Sequence, residues 1–487
     1  MSGAALPGKI LVANRGEIAV RVMRACRELG IATVAIYSDA DASAIHRRYA
    51  DEAYHIGGSQ PRDSYLQLDR IVRLACEVGA QAIHPGYGFL SERPEFAEAC
   101  VNAGVTFIGP PASAMRALGS KLGARALAQA NGVPVTPGSE AVQDPAQAME
   151  AARAIGLPVI IKPSGGGGGI GMKVVEREED LEAGVRTASA AALAAFGDGT
   201  VYLERYVRHP RHIEFQIMAD QHGHVVHLGE RECSLQRRHQ KIMEETPSPV
   251  LTPALRERMG AAAVSAVRAA GYQGAGTVEF MFAEGEFFFL EVNARLQVEH
   301  PITEATTGLD LVKEQIRIAA GMPLTYAQED LVFTGHAIEM RVNAEDPSRD
   351  FAPTPQRIRR WVAPAGPGVR TDSGFGPGSD VPPHYDSLLA KLIVHGRDRA
   401  EAIARAERAL AEFVLTGPMT TIPYHRAILA HPDFRAGRLS TRFIDDHPEL
   451  VAEATRLATQ VSPLDPGPDP RLVAAAVAAA VAASHSA

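Results

Sequence analysis

A chain of 487 residues with 46% hydrophobic and 22% charged positions has room for two to four domains with real cores, which excludes disorder as the default state. Its formal charge of −8 excludes the basic footprint that general nucleic-acid binding requires. Cys26, Cys76, Cys100 and Cys233 form no CxxC pair, the start MSGAALPGK is not a signal peptide, and the longest apolar run, residues 472–483, is too short for a bilayer, so a cytoplasmic protein without membrane or nucleic-acid partners is expected.

The strand KILVA (9–13), a turn at Gly16, a helix through Leu29 and the strand ATVAIYS (32–38) read as a βαβ unit. A helix from about Tyr65 to Gly79 and the strands AIHPG (82–86) and TFIGP (106–110) extend it to a doubly wound α/β domain. NRGEIAVR holds one glycine where G-x-G-x-x-G needs three, which argues against a nicotinamide or flavin cofactor. In HPGYGFLSE (84–92), Gly86 and Gly88 flank Tyr87 at the carboxyl end of a strand. That is where ligands of open α/β sheets sit, although a tight turn with a packed tyrosine also accounts for it.

A helical pattern over 112–131 carries Lys121, and Gly132, Pro134, Pro137 and Gly138 mark a hinge. Next come the strand PVIIKPS (158–164) and GGGGGIGMKVV (165–175). Counted from Gly166, G-x-x-x-x-G is followed by Met172 rather than Lys, so this is no Walker loop. A glycine flap between two strands, with Lys162 before it as a phosphate-facing charge, is the physical picture; a plain linker is the alternative. A helix over 178–195 and VYLERYV (201–207) return this small lid to the body.

RHIEFQIMAD (211–220) and HVVHLGERECS (224–234) alternate as strands, and QRRHQK (236–241) reads as a solvated basic loop. After a helix over 253–271, TVEFMF and FFFLEVN form a hairpin around Gly285. Symmetry about Gly285 sets Glu279 opposite Glu291, and no neighbour in the hairpin relieves their repulsion, so a cation between them is the remedy. Asn293 shares their face, and an all-oxygen set suits Mg²⁺ or Mn²⁺ beside phosphate. If the chain stays extended, Arg295, Gln297 and Glu299 continue that face; the alternative is a polar face turned to water. A helix follows near 310–320. From Gly335, the strands 336–346, 358–364, 369–373 and 388–396 suggest a more antiparallel domain with a helix over 399–415. The Ala-rich end favours helix but is too short to be stable unaided.

HPGYGFLSE, VIIKPSGGGGG, RECSLQRRHQKIMEE, EVNARLQVEHPITE, RVNAED and PPHYDS, in this order, resemble the biotin carboxylases of the ATP-grasp superfamily, from about Lys9 to Asp445. The resemblance implies an α/β and α+β multidomain chain: a doubly wound pre-ATP-grasp domain (1–118), an ATP-grasp domain (119–333) with a glycine-rich lid (about 138–207), a mainly antiparallel carboxylase domain (334–448) and a tail (449–487). It implies a ligase that uses ATP, Mg²⁺ or Mn²⁺ and bicarbonate to carboxylate biotin. Lys121, Lys162, Gly168 and Gly169 would meet ATP phosphates, and Glu204, Val207, His212, Gln236 and His239 its adenosine. Glu279 and Glu291, with Asn293, match the metal site beside ATP. Lys241, Arg295, Gln297 and Val298 correspond to the bicarbonate pocket, Glu299 to the general base, and Arg341 with Tyr87 to the biotin site.

Ile170 departs from the Arg or Lys usual after the glycines, so one charged contact from the lid is expected to be missing. No Lys stands between two Met, so biotin is expected on a separate carrier protein, with carboxyltransferase subunits as further partners serving an acetyl-CoA or other acyl-CoA carboxylase. Arg24 and Arg370 match positions at the family's homodimer contact. A ligase with another acceptor and a nucleotide-binding scaffold without turnover are the competing readings.

Overall fold

The computed structural model describes residues 5–142, 144–165 and 171–465. Five parallel strands open the chain: β1 (Lys9–Val12), β2 (Ala32–Tyr37), β3 (Glu52–His55), β4 (Ala82–His84) and β5 (Thr106–Phe107), in the order β3-β2-β1-β4-β5. Alternation along β1 sends Leu11 into one hydrophobic core and Ile10 with Val12 into another, as a parallel strand covered on both faces demands. β3 escaped the sequence reading because its residues, EAYH, are half exposed and carry no apolar alternation.

After β4 the chain turns at Gly86, where φ is 63°. A Cβ there would lie 2.9 Å from the Asn14 amide nitrogen, which donates to the Pro85 and Tyr87 carbonyls at 2.7 and 2.8 Å. The position therefore needs glycine. The helix expected over 112–131 is two helices, Ala112–Gly119 and Lys121–Ala130, because Ser120 leaves the helical conformation and caps the second through its hydroxyl. Lys121 thus begins a helix instead of lying inside one.

The lid is a small sheet, β7-β6-β8, made of β6 (Val159–Pro163), β7 (Lys173–Val175) and β8 (Val201–Arg205). Val159, Ile161 and Leu203 pack with the helices Pro145–Ile155 and Leu181–Phe196 in a core of the lid's own. Alternation turns Lys162 and Glu204 to the opposite face. Gly168, Gly169 and Ile170, on which the flap reading rests, lie outside the described residues, as does the Ala-rich end.

The body is one eight-stranded antiparallel sheet. β9 (Arg211–Ala219), β10 (Val225–Arg237), β11 (Gln240–Thr246), β12 (Gly274–Ala283), β13 (Glu286–Asn293) and β14 (His336–Asn343) are joined by the strands Leu388–Gly396 and Val369–Ser373, in the order β13-β12-β9-β10-β11-β14 and then those two. The sheet crosses Gly335 without interruption, since β11 pairs with β14. Of the strands expected beyond Gly335, Arg360–Val362 stands apart, paired with Val414–Thr416 in a small sheet of its own.

Three sequence expectations change here. QRRHQK is the tip of the β10–β11 hairpin, not a loop: Arg238 and His239 take left-handed φ values of 50° and 66°, the signature of a tight two-residue turn. Beyond Asn293 the chain does not stay extended but turns into the helix His300–Thr307. The supposed tail begins with a packed helix, Glu449–Ala458, whose Leu450, Ala454 and Leu457 are buried in the core beside the helix Ile422–Ala430.

Candidate active site

A cleft of about 700 Å³ opens between the lid sheet and the polar face of the body. Apart from Gly168 and Gly169, every candidate named from the sequence lines it except Tyr87. Tyr87 stands behind the cleft, its hydroxyl on Glu17, with the ammonium of Lys391 5.9 Å from its ring centroid. Lys391 is fully buried and donates to the Val298 carbonyl at 2.9 Å. The tyrosine is thus linked to the cleft wall instead of forming it.

The acid pair is in register: Glu279 faces Glu291. Simple symmetry about Gly285 does not produce this. Near the turn Ala283 pairs with Glu286 and Phe280 with Phe289, and an irregularity that leaves Leu290 unpaired restores the match. On the other side Glu279 faces Glu214 of β9, so three carboxylates stand in a row across β9, β12 and β13. Relief comes from outside the hairpin. Lys241, at the start of β11, places its ammonium 2.5 Å from Glu214, 3.1 Å from Glu279 and 2.7 Å from Glu299. His212 lies 3.2 Å from Glu279.

The electrostatics follow. Burial would push Glu279 up, but Lys241 and His212 together hold it well below the usual carboxylate range. Burial alone would lower His212, yet Glu279 lifts it to about 9. Glu291 has no ion pair or hydrogen bond among the described residues, and burial and then Glu279 raise its pKa. A carboxylate in that position accepts a hard cation readily, and the neighbouring oxygens of Glu279 and Asn293 complete a set suited to Mg²⁺. The Asn293 amide already donates to Glu279 at 2.9 Å, and its carbonyl accepts from Arg295 at 2.9 Å, leaving one lone pair.

Further along, Glu299 ends the loop before the helix His300–Thr307. One oxygen meets Lys241, and the other lies 3.1 Å from Arg341, whose Nε donates to Glu244 at 2.7 Å. Burial opposes its ionisation, but Lys241 and Arg341 lower its pKa. It is a carboxylate at neutral pH, with each oxygen held by a cation. Lys162 and Arg125 both pair with Glu204, at 2.5 and 3.1 Å. An incoming phosphate would compete with Glu204 for Lys162.

Four positioning residues escaped the sequence reading. Arg231, fully buried on β10, reaches Glu214 and Gln216 at 2.6 Å, Gln297 at 2.7 Å, Thr303 at 3.0 Å and Thr277 at 3.2 Å. It thereby turns the Gln297 amide nitrogen toward Glu279, 2.9 Å away. Glu214 and Glu244 are the others on the sheet, and Glu92, at the end of HPGYGFLSE, holds Arg295 at 3.0 Å. The alternating charges of GERECS were the available signal for Arg231. Arg231→Met is expected to lower stability by about 3–5 kcal/mol in chemical denaturation, because Glu214 loses a buried partner; a loss below about 1 kcal/mol contradicts this.

Comparison with known proteins agrees with this geometry. Residues 7–115 match the family described as "Biotin carboxylase, N-terminal domain", 120–327 "Carbamoyl-phosphate synthase L chain, ATP binding domain" and 339–446 "Biotin carboxylase C-terminal domain". The chain is 56% identical to one subunit of the pyruvate carboxylase of Methanothermobacter thermautotrophicus over 440 residues, 90% of each chain. It is 51% identical to biotin carboxylase 1 of Bacillus subtilis over 442 residues, covering 90% of this chain and 98% of that one. The biotin carboxylase domain dimer of Hydrogenobacter thermophilus 2-oxoglutarate carboxylase, solved with MgADP, ADP and bicarbonate, superposes with a TM-score of 0.88 at 48% identity, covering 92% of this chain and 99% of that one.

Proposed function

The chain belongs to the biotin carboxylase family, and from that premise we propose how its residues divide the work of carboxylating biotin with ATP and bicarbonate. One observation carries the assignment. Glu299 stands between Lys241, which reaches the acid row, and Arg341, so a base separates the nucleotide end of the cleft from the biotin end.

Lys121 and Lys162, with Gly168 and Gly169, take the ATP phosphates, and Glu204, Val207, His212, Gln236 and His239 border the adenosine. Glu279, Glu291 and Asn293 would hold Mg²⁺ or Mn²⁺. Bound there, the ion would neutralise charge on the phosphates as the γ-phosphoryl group transfers. Lys241, Arg295, Gln297 and Val298 enclose bicarbonate. Glu299 removes its proton, and Lys241 and Arg295 balance the resulting charge while a bicarbonate oxygen attacks the γ-phosphorus and ADP leaves. Carboxyphosphate breaks down to CO₂ and phosphate. The phosphate takes the ureido proton of biotin, and Arg341 holds the enolate oxygen while nitrogen attacks CO₂. Tyr87 would act on the biotin site only from behind the cleft wall, through Lys391 and Val298.

Biotin arrives on a carrier protein, and carboxyltransferase subunits complete the assembly. An acetyl-CoA or other acyl-CoA is the proposed final acceptor. The proposed homodimer uses the first and last parts of the chain, where Arg370 binds Glu304 and Asp372 at 2.7 Å and Arg24 lies 3.9 Å from Asp372. No described helix is long and apolar enough to cross a membrane. A cytoplasmic location is proposed from the four unpaired cysteines.

The test is bicarbonate-dependent ATP cleavage that rises with free biotin. Turnover with a different acceptor, or ATP binding without turnover, overturns the assignment. Glu291→Gln is expected to weaken Mn²⁺ binding in the ATP complex by about tenfold or more, read by electron paramagnetic resonance, because an amide carries no charge to hold the cation. Equal Mn²⁺ affinity in variant and wild type would place the metal elsewhere.

A further inference from the structure

Glu339 on β14 is fully buried, and neither of its carboxyl oxygens has a hydrogen-bond partner among the described residues. It stands directly opposite Glu244 in the β11–β14 ladder, a separation at which side chains on one face meet. Glu244 uses one oxygen on Arg341, while its Oε2 is also buried without a partner. Three unpaired buried oxygens on two facing carboxyl groups are not stable as two anions, because each would lack solvation and repel the other. A single proton removes one of the two charges and gives Glu244 Oε2 a donor, leaving only the neutral carbonyl oxygen of Glu339 without a partner.

We propose that Glu339 is a positioning residue for the biotin step: it carries a proton that it donates to Glu244 Oε2, so that Arg341 remains free to turn to the enolate oxygen of biotin. The inference rests on the role given above to Arg341. Burial raises Glu339 well above the usual carboxyl range and lifts Glu244 to about 7. The charged groups facing Glu339 are Glu244 on β11, Arg341 on its own strand, Lys391 on the strand Leu388–Gly396 and Glu299 before the helix His300–Thr307. Lys391 is engaged elsewhere, by the Val298 carbonyl at 2.9 Å and Glu17 at 3.2 Å. Once the proton leaves, a second buried anion draws on Arg341 and opposes the enolate.

The experiment compares pH profiles of biotin-dependent ATP cleavage with those of the slow bicarbonate-dependent cleavage that needs no biotin. In Glu339→Gln the amide N–H replaces the acid O–H, so the alkaline fall of the biotin-dependent rate should move up by about one pH unit or more, with the biotin-free profile unmoved. Glu339→Leu should lower the biotin-dependent kcat by about tenfold, since Glu244 Oε2 loses its donor, with Gln restoring most of it. Difference infrared spectra of the intact protein at neutral pH should show a protonated carboxyl band that Glu339→Gln removes. Superimposable pH profiles, or absence of that band, overturn the proposal. If instead Arg341→Gln keeps full biotin-dependent turnover while the band persists, the positioning role falls with the reading of Arg341 and the proton alone stands.

Discussion

Glu299→Gln is expected to lower biotin-dependent ATP cleavage by about a hundredfold or more, with ATP affinity within about twofold of wild type by equilibrium titration, a change under 0.5 kcal/mol. Glutamine fills the same space, and its carbonyl still accepts from Lys241 or Arg341, the two groups that meet the native carboxylate. It cannot take the bicarbonate proton at neutral pH. Glu299 makes no contact with Lys121 or Lys162, so the nucleotide should not sense the change. Equal losses of turnover and ATP binding would mean that Glu299 builds the nucleotide site and is not the base.

Lys241→Gln is expected to act more broadly. The family resemblance assigns Lys241 to the bicarbonate pocket. In the structure its ammonium also balances Glu214 and Glu279. Its removal should raise the KM for bicarbonate by about a hundredfold, as loss of a buried ionic contact of 2–5 kcal/mol implies, and weaken ATP binding only severalfold through Glu279. Stability should fall by about 3–5 kcal/mol, since the three carboxylates lose a shared partner. The sign of the pH dependence is fixed by those groups. Glu214, Glu279 and Glu299 are all held below their ordinary range, with Lys241 the largest favourable charge for each. Their contribution is therefore present above the unfolded value of about 4.3 and is lost as pH falls through the folded values. The stability gap between wild type and variant should be widest near neutrality and narrow in acid. A gap that widens in acid, or a bicarbonate KM unchanged from wild type, would remove Lys241 from its assigned place.

The buried charges explain why a strong match of motifs does not reveal the working parts of the site. Glu279, Glu291 and Asn293 could be placed together because they share one hairpin, where register follows from counting. Even so, the count succeeded only through the irregularity at Leu290, which no composition signal announces. QRRHQK looked like a solvated loop because basic residues near a turn usually are. Pairing of β10 with β11 instead sends Lys241 inward, while Arg238 and His239 form the turn. The helix Glu449–Ala458 was hidden for a different reason: its apolar stripe becomes meaningful only beside the helix Ile422–Ala430.

By itself the sequence determined the parallel opening sheet, the strands on either side of the glycine run and the hairpin that carries the acids. All of these are local, set by periodicity, glycine placement and residues within a strand or two of each other. The assignment of the site to ATP and bicarbonate came from the family resemblance of its motifs. Only the tertiary structure decided that one sheet runs through Gly335, that Lys241 answers acids as far as 58 positions away, and that Arg231 aims Gln297 across 66. It also set Glu244 against Glu339. Those relations depend on the order in which distant strands pair. A short window of sequence carries no record of that order, because the free energy that selects it is gained only when the whole polar face is buried.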